Sequence, residues 1–229
     1  MKTPLIPFKI MRLSNYLFFC LLAISLVYPI DSNAIVFNKK NKVEDVNIFK
    51  LSIDDNIAIP DLGKYATTII EFQDKQYRNL IELSQKNYPY QIEKMRNDEV
   101  LCITIQSRFL FQQGDTILTE KGVDILSPFN QYLKTEGLYK IVLAMHSDNT
   151  GSERYTKMLT TKRVNAIYDA FISINSMMSN FIVPYPFGGE DPIVDNNSVL
   201  NREKNRRLVI YLIPDKVMIN QAKRGKISL

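Results

Sequence analysis

The segment from His146 to Gly151 brings together residue types that can do chemistry, since an imidazole, a hydroxyl and a carboxylate follow one another at His146, Ser147 and Asp148. Three adjacent residues cannot act as base, nucleophile and orienting acid, because the members of a catalytic triad converge from separate segments. His146 is also the single histidine of the chain, which excludes an ordinary histidine-based metal site. We therefore predict no catalytic residue, metal or cofactor here, and interpret His146 as a brace for the loop.

A charged pair remains. Arg163 follows Asp148 by fifteen positions, and between them Ser152 can cap a helix whose apolar stripe includes Leu159. The residues before His146 form a continuous apolar run typical of a buried strand, so Asp148 falls in a strand-to-helix loop, where binding sites are often built. The two charges either bridge one another to fix the loop or bind a ligand, and the residues alone leave both possibilities open.

This region resembles OmpA-like peptidoglycan-binding domains, which carry a pattern close to G-H-T-D-x-x-G-x-x-x-Y-N-x-x-L-S-x-x-R-A. The spacing is preserved, but Met145 replaces a Gly, Thr156 an Asn and Asn201 a Gly. Family members then have G-E-x-x-P, here with a shortened interval, and G-R-x-x-N-R-R-V. A further segment, residues 110–118, looks like the family's first strand leaving toward its first helix. The matching positions are Met145, His146, Ser147, Asp148, Asn149, Thr150, Gly151, Tyr155, Thr156, Leu159, Thr160, Arg163 and Val164, then residues 189–192 and 201–208.

The resemblance implies non-catalytic binding of peptidoglycan through the diaminopimelate of its stem peptide, whose free end carries an ammonium and a carboxylate on one carbon. Asp148 would accept from the ammonium and Arg163 would hold the carboxylate, because charge-assisted bonds are strong. Backbone N–H groups around Asn149 would assist. Thr156 lowers the expected affinity, and Arg206 is a further candidate contact. The supporting loop is predicted to comprise His146, Ser147, Gly151, Tyr155 and Leu159.

Apolar periodicity predicts the elements that position these residues. A helix is expected over residues 64–86, and a hairpin of residues 90–95 and 100–105 around Asn97 and Asp98. A helix capped by Thr119, with Val123, Leu126, Phe129 and Leu133 on one stripe, precedes the buried strand; residues 184–192 read as a loop, and residues 208–213 as the last strand. The predicted fold class is an α/β (α+β) sandwich, an OmpA-like domain with a mixed sheet covered by helices on one side.

The N-terminus predicts export. Basic residues precede an apolar run at residues 16–30, and Ser32-Asn33-Ala34 supplies a cleavage site; an uncleaved inner-membrane anchor is the alternative. Lipid attachment at Cys20 is disfavoured because two phenylalanines precede it. The expected divisions are a signal peptide or anchor (1–34), an extended tether (35–62), a helix and linker (63–92), the OmpA-like domain (93–214) and a basic tail (215–229). The location would be the periplasm or envelope of a Gram-negative bacterium, associated with the outer membrane through partners.

Composition narrows the function. The 45% hydrophobic and 23% charged fractions are those of a globular protein, which argues against general disorder. The net charge of +5 does not indicate nucleic acid, because the basic residues are scattered and the chain is exported. Two functions stay open: a module that anchors an envelope layer to peptidoglycan, or a subunit of an envelope-spanning machine, a secretion or stator-like complex, that docks there with other envelope proteins. An enzyme is a third, disfavoured class.

Overall fold

The computed structural model describes residues 60–229, so the predicted signal peptide and nearly all of the predicted tether lie outside the described residues. No helix in the described part of the chain combines the length and apolar character needed to cross a bilayer. The helices are α1 (Ala66–Gln85), α2 (Glu120–Leu126), α3 (Glu153–Ile174), α4 (Val199–Asn205) and α5 (Lys216–Lys223). The strands are β1 (Tyr90–Met95), β2 (Val100–Gln106), β3 (Tyr139–His146), β4 (Ile182–Gly188) and β5 (Arg207–Pro214).

The five strands form one mixed sheet in the order β1-β2-β5-β3-β4. All neighbours are antiparallel except β3 and β4, which run parallel. The central register places Ile210 of β5 between Ile103 of β2 and Leu143 of β3. This arrangement confirms the predicted mixed sheet.

The helices lie on one face of the sheet. Alternate strand residues such as Ile103, Leu143 and Ile210 belong to the same buried cluster as Ile69 of α1 and Phe171 of α3, because side chains two apart on a strand share a face. The helical coverage of one side is therefore confirmed. The opposite face carries two smaller buried groups, Val100 with Val142, Val183 and Ile213, and Cys102 with Ala144 and Val209.

Helix α1 is part of this domain. Its Gln73 amide donates to Glu99 O at 2.8 Å, and Tyr139 OH donates to Gln73 Oε1 at 2.7 Å. Strand β1 begins at Tyr90, and the expected division into a helix and linker (63–92) and a domain (93–214) stays a prediction. The expected tail likewise contains α5, whose Met218 is fully buried.

The prediction of a loop at residues 184–192 is wrong in its first part, because residues 184–188 belong to strand β4. Its prolines, Pro184 and Pro186, are compatible with an edge strand that, among the described strands, pairs only with β3. Phe181 O accepts from Ile141 N, so residues 183 and 185 also face β3, and the two proline nitrogens face away from the ladder. A missing N–H therefore costs no sheet hydrogen bond.

The prediction of a strand within residues 110–118 is also wrong, because these residues do not form one. A 3-10 turn over Ser107–Phe109 ends β2, and a single bridge joins Phe111 to Leu118. The segment therefore bends over the end of the sheet. In the helix that follows, Val123 is half exposed and does not join the predicted apolar stripe.

Candidate ligand-binding cleft

The loop between β3 and α3 is held by its own hydrogen bonds. Gly151 has a φ of +97°, a conformation that favours glycine. Ser152 caps α3 by accepting from Tyr155 N at 3.2 Å. Asp148 Oδ1 accepts from Thr150 N at 2.8 Å. These contacts fix the position of the Asp148 carboxylate, whose residue is only 3% exposed.

A cleft of about 750 Å³ opens beside this loop. Its volume lies in the range of sites that bind ligands of drug or short-peptide size. Its walls come from the loop, the first turns of α3, the turn after β2 and helix α4. The lining residues are Ser107, Arg108, Phe111, Gln112, Gln113, Gly114, Ser147, Asp148, Thr150, Tyr155, Leu159, Arg163, Val199, Arg202, Glu203 and Arg206.

Asp148 forms an ion pair with Arg206. The alternative of a direct bridge between Asp148 and Arg163 is not what the structure shows, because Arg163 has other partners. The Asp148 side chain is 4% exposed, whereas that of Arg206 is 36% exposed. The carboxylate is thus fixed in the wall while its cation reaches in from the solvent side.

Arg163 is buried and anchors the opposite wall. Its Nε donates to Asp115 O at 2.7 Å and its Nη2 to Gln112 O at 3.1 Å, while the guanidinium lies 5.0 Å from the Phe111 ring centroid. Burial lowers the pKa of Arg163. No carboxylate within residues 60–229 forms an ion pair with it, and the guanidinium lines the cleft.

Several predicted residues line the cleft, namely Ser147, Tyr155 and Leu159 besides the charged groups. Asn149 does not line it and is exposed to solvent. Thr156 is buried, and its hydroxyl donates to Glu153 O at 3.0 Å. Thr156 therefore contributes to α3 and not to the surface of the cleft.

His146 lies away from the cleft. Its ring stacks on Phe187 with the centroids 4.4 Å apart, and Nδ1 is 3.6 Å from Asp191 Oδ2. Burial, followed by the nearby charge of Arg207, lowers the pKa of His146 to about 3. The imidazole is therefore neutral at physiological pH.

The sequence did not identify the wall opposite Asp148. Phe111, Gln112 and Gly114 come from the segment that was interpreted as a strand. Arg202 lies in the second matching block, and its spacing of four from Arg206, which caps the end of α4, is the signal that places the two residues one helical turn apart. Glu203 pairs with Arg108, which joins α4 to the turn after β2.

The sheet, its helical face and the charged cleft at a strand-to-helix loop define an α/β domain built on one mixed sheet. Residues 110–206 match the model of the OmpA family. This match agrees with the resemblance to OmpA-like domains that the sequence predicted.

Two curated relatives are similar to this chain. The outer-membrane lipoprotein YfiB of Pseudomonas aeruginosa is 26% identical over 115 residues, covering 50% of this chain and 68% of the relative. The peptidoglycan-associated lipoprotein of Buchnera aphidicola is 22% identical over 137 residues, covering 60% and 74% respectively.

Solved structures agree on the fold. The cell wall anchor of the T6SS from Pseudomonas aeruginosa superposes with a TM-score of 0.53 at 19% identity, covering 61% of this chain and 97% of that one. A MotB-like protein from Desulfovibrio vulgaris gives a TM-score of 0.52 at 16% identity, with 66% and 99% covered.

Proposed function

We propose that this domain binds peptidoglycan without catalysis, by holding the free end of diaminopimelate in the cleft. One observation carries the proposal: a buried carboxylate, Asp148, and a buried guanidinium, Arg163, that pairs with no carboxylate of the described residues, line the same cavity. A carbon that bears an ammonium and a carboxylate needs one partner of each sign, and such desolvated charge pairs give strong bonds.

Binding would exchange one ion pair for another. The ligand ammonium takes the place that Arg206 occupies at Asp148, and the half-exposed Arg206 moves toward the ligand carboxylate. Arg163 keeps two N–H groups on the loop carbonyls, and the rest of its five N–H groups can donate to the same carboxylate. No proton transfer or covalent step is needed, and the neutral His146 lies outside the cleft.

The cellular role that follows is anchorage of an envelope layer to the wall, from the periplasm or in association with the outer membrane. The relatives support it through their names, an outer-membrane lipoprotein and a peptidoglycan-associated lipoprotein. A second candidate is a subunit of an envelope-spanning machine, favoured by the shared fold with a T6SS cell wall anchor. Other envelope proteins co-purifying with this chain would distinguish the second from the first.

The test is co-sedimentation of the purified chain with insoluble diaminopimelate-type peptidoglycan. Wild type should pellet, while Asp148→Ala and Arg163→Ala should stay in the supernatant although circular dichroism shows them folded. Peptidoglycan with lysine in place of diaminopimelate is the matched ligand control, because lysine lacks the second carboxylate. Equal pelleting of all three proteins, or equal binding to both walls, would refute the proposal.

A further inference from the structure

The cleft carries more positive charge than a zwitterion requires. Four arginines and two carboxylates line it, so its net charge is two positive. Arg206 pairs with Asp148, and Arg108 pairs with Glu203. Within residues 60–229, the other two lining arginines form no ion pair. One is Arg163, and the second lies on α4.

That second arginine is Arg202. Its Nη1 donates to Asn196 O at 3.1 Å, which ties one side of the guanidinium to the loop before α4. Arg202 stands one helical turn before Arg206, about 6 Å along the axis, and both line the cavity. A cation held by a backbone carbonyl and facing a cleft keeps N–H donors for an anion.

The volume of the cleft also indicates a ligand larger than the free end of diaminopimelate. The free end of diaminopimelate comprises one carbon with two small charged groups, whereas about 750 Å³ accommodates a ligand of several residues. A stem tetrapeptide carries two further carboxylates, the α-carboxylate of its D-glutamate and the C-terminal carboxylate of its D-alanine. With its N-terminus in amide linkage to the glycan, the stem has a net charge of two negative, which matches the charge of the cleft.

We propose that Arg202 binds a second carboxylate of the stem peptide, so that the domain distinguishes stems with free carboxylates from amidated stems. This inference rests on the proposed binding of diaminopimelate at Asp148 and Arg163. The stem offers two such carboxylates, and the following experiment determines which of them Arg202 binds.

The experiment is calorimetric titration of the purified chain with four soluble ligands: free meso-diaminopimelate, the stem tetrapeptide, and the same tetrapeptide with either the D-glutamate α-carboxylate or the C-terminal carboxylate converted to an amide. Wild type should bind the free tetrapeptide about tenfold more tightly than one of the two amides, as expected for one charge-assisted hydrogen bond. The amide that loses affinity identifies the carboxylate.

The variant Arg202→Gln should bind the tetrapeptide more weakly than wild type by the same factor. It should bind the free tetrapeptide and that amide with equal affinity, and its affinity for free diaminopimelate should equal that of wild type. Lys204→Gln is the matched control, because it removes one positive charge from the same helix at an exposed position outside the cleft. An equal loss in both variants would mean a general charge effect and overturn the inference.

The experiment distinguishes failure of this inference from failure of the proposed function. If diaminopimelate binds but Arg202→Gln and both amides behave like their references, Arg202 binds no stem carboxylate and the proposed function stands. If wild type binds neither diaminopimelate nor the tetrapeptide, the proposed function itself is wrong, and this inference falls with it.

Discussion

Replacing Asp148 by Asn tests the charge at the centre of the cleft while preserving shape. Removing one member of a desolvated charge pair costs about 2–5 kcal/mol of binding free energy. In the free protein Asp148 already has Arg206 as a partner, so in the proposed binding mode the ligand ammonium would replace an existing bond. We therefore expect the lower end of that range, about a 30-fold rise in Kd.

The fold should tolerate this change. An Asn at position 148 retains an oxygen that can accept from Thr150 N, and Arg206 is exposed enough to be solvated alone. A half-exposed ion pair contributes at most about 1 kcal/mol, which for a domain of this size lowers Tm by about 4 °C or less. Calorimetric titration with free meso-diaminopimelate measures the change in Kd, and thermal denaturation followed by circular dichroism measures the change in Tm.

The matched control is Glu203→Gln, which removes another carboxylate from the cleft wall, one that pairs with Arg108 on a more exposed side. We expect its Kd for diaminopimelate to change by less than about threefold. A Kd for Asp148→Asn equal to that of wild type would show that the ammonium binds elsewhere. Equal losses in both variants would show that only the total charge of the cleft matters.

Three further predictions follow from the same geometry. Arg163→Met should lower the free energy of unfolding in urea by about 2–4 kcal/mol, because carbonyls of residues 112–115 lose charged donors; an unchanged midpoint would contradict this anchoring role. The pKa of His146 is lowered to about 3, so His146 stays neutral in the folded state while the unfolded state takes up a proton below about pH 6.5. The free energy of unfolding should therefore fall between pH 6.5 and 3, by up to about 1.4 kcal/mol per pH unit. Denaturation measured at a series of pH values should show that His146→Phe removes this slope. Gly189→Ala should weaken diaminopimelate binding in calorimetry, since its Cβ would lie 2.7 Å from Asp148 O; wild-type affinity would mean that this loop moves freely.

The sequence predicted the elements that bury their apolar residues in regular patterns. Strand β3 is continuous and apolar, and α3 has both its Ser152 cap and its buried stripe. Strand β4 was missed because prolines normally exclude a strand, and only its position at the edge of the sheet makes them compatible. The place of α1 in the core was missed because it packs partly through buried polar residues, Gln73 and Gln76, which look like solvent-facing positions.

The sequence brought out only some residues of the candidate cleft, for a similar reason. Asp148 and Arg163 stand out as charges at a strand-to-helix loop, and both do line one cavity. Their partners do not stand out, because Arg163 binds backbone carbonyls of residues about fifty positions away, and carbonyls leave no trace in residue type. The pairing of Asp148 with Arg206 likewise depends on the sheet bringing the start of β5 beside the end of β3.

The position of the cleft along β3 determines how the domain would carry mechanical load. At the N-terminal end of this strand, Leu138 O accepts from Asp215 N just before α5, and α5 contacts the turn Gly63–Tyr65, where the described chain begins. At the other end, about 25 Å away by strand length, lies Asp148. If the cleft binds the wall as proposed, a pull between the wall and the turn Gly63–Tyr65 would run parallel to β3 and shear its hydrogen bonds to both neighbours together, instead of opening them one at a time.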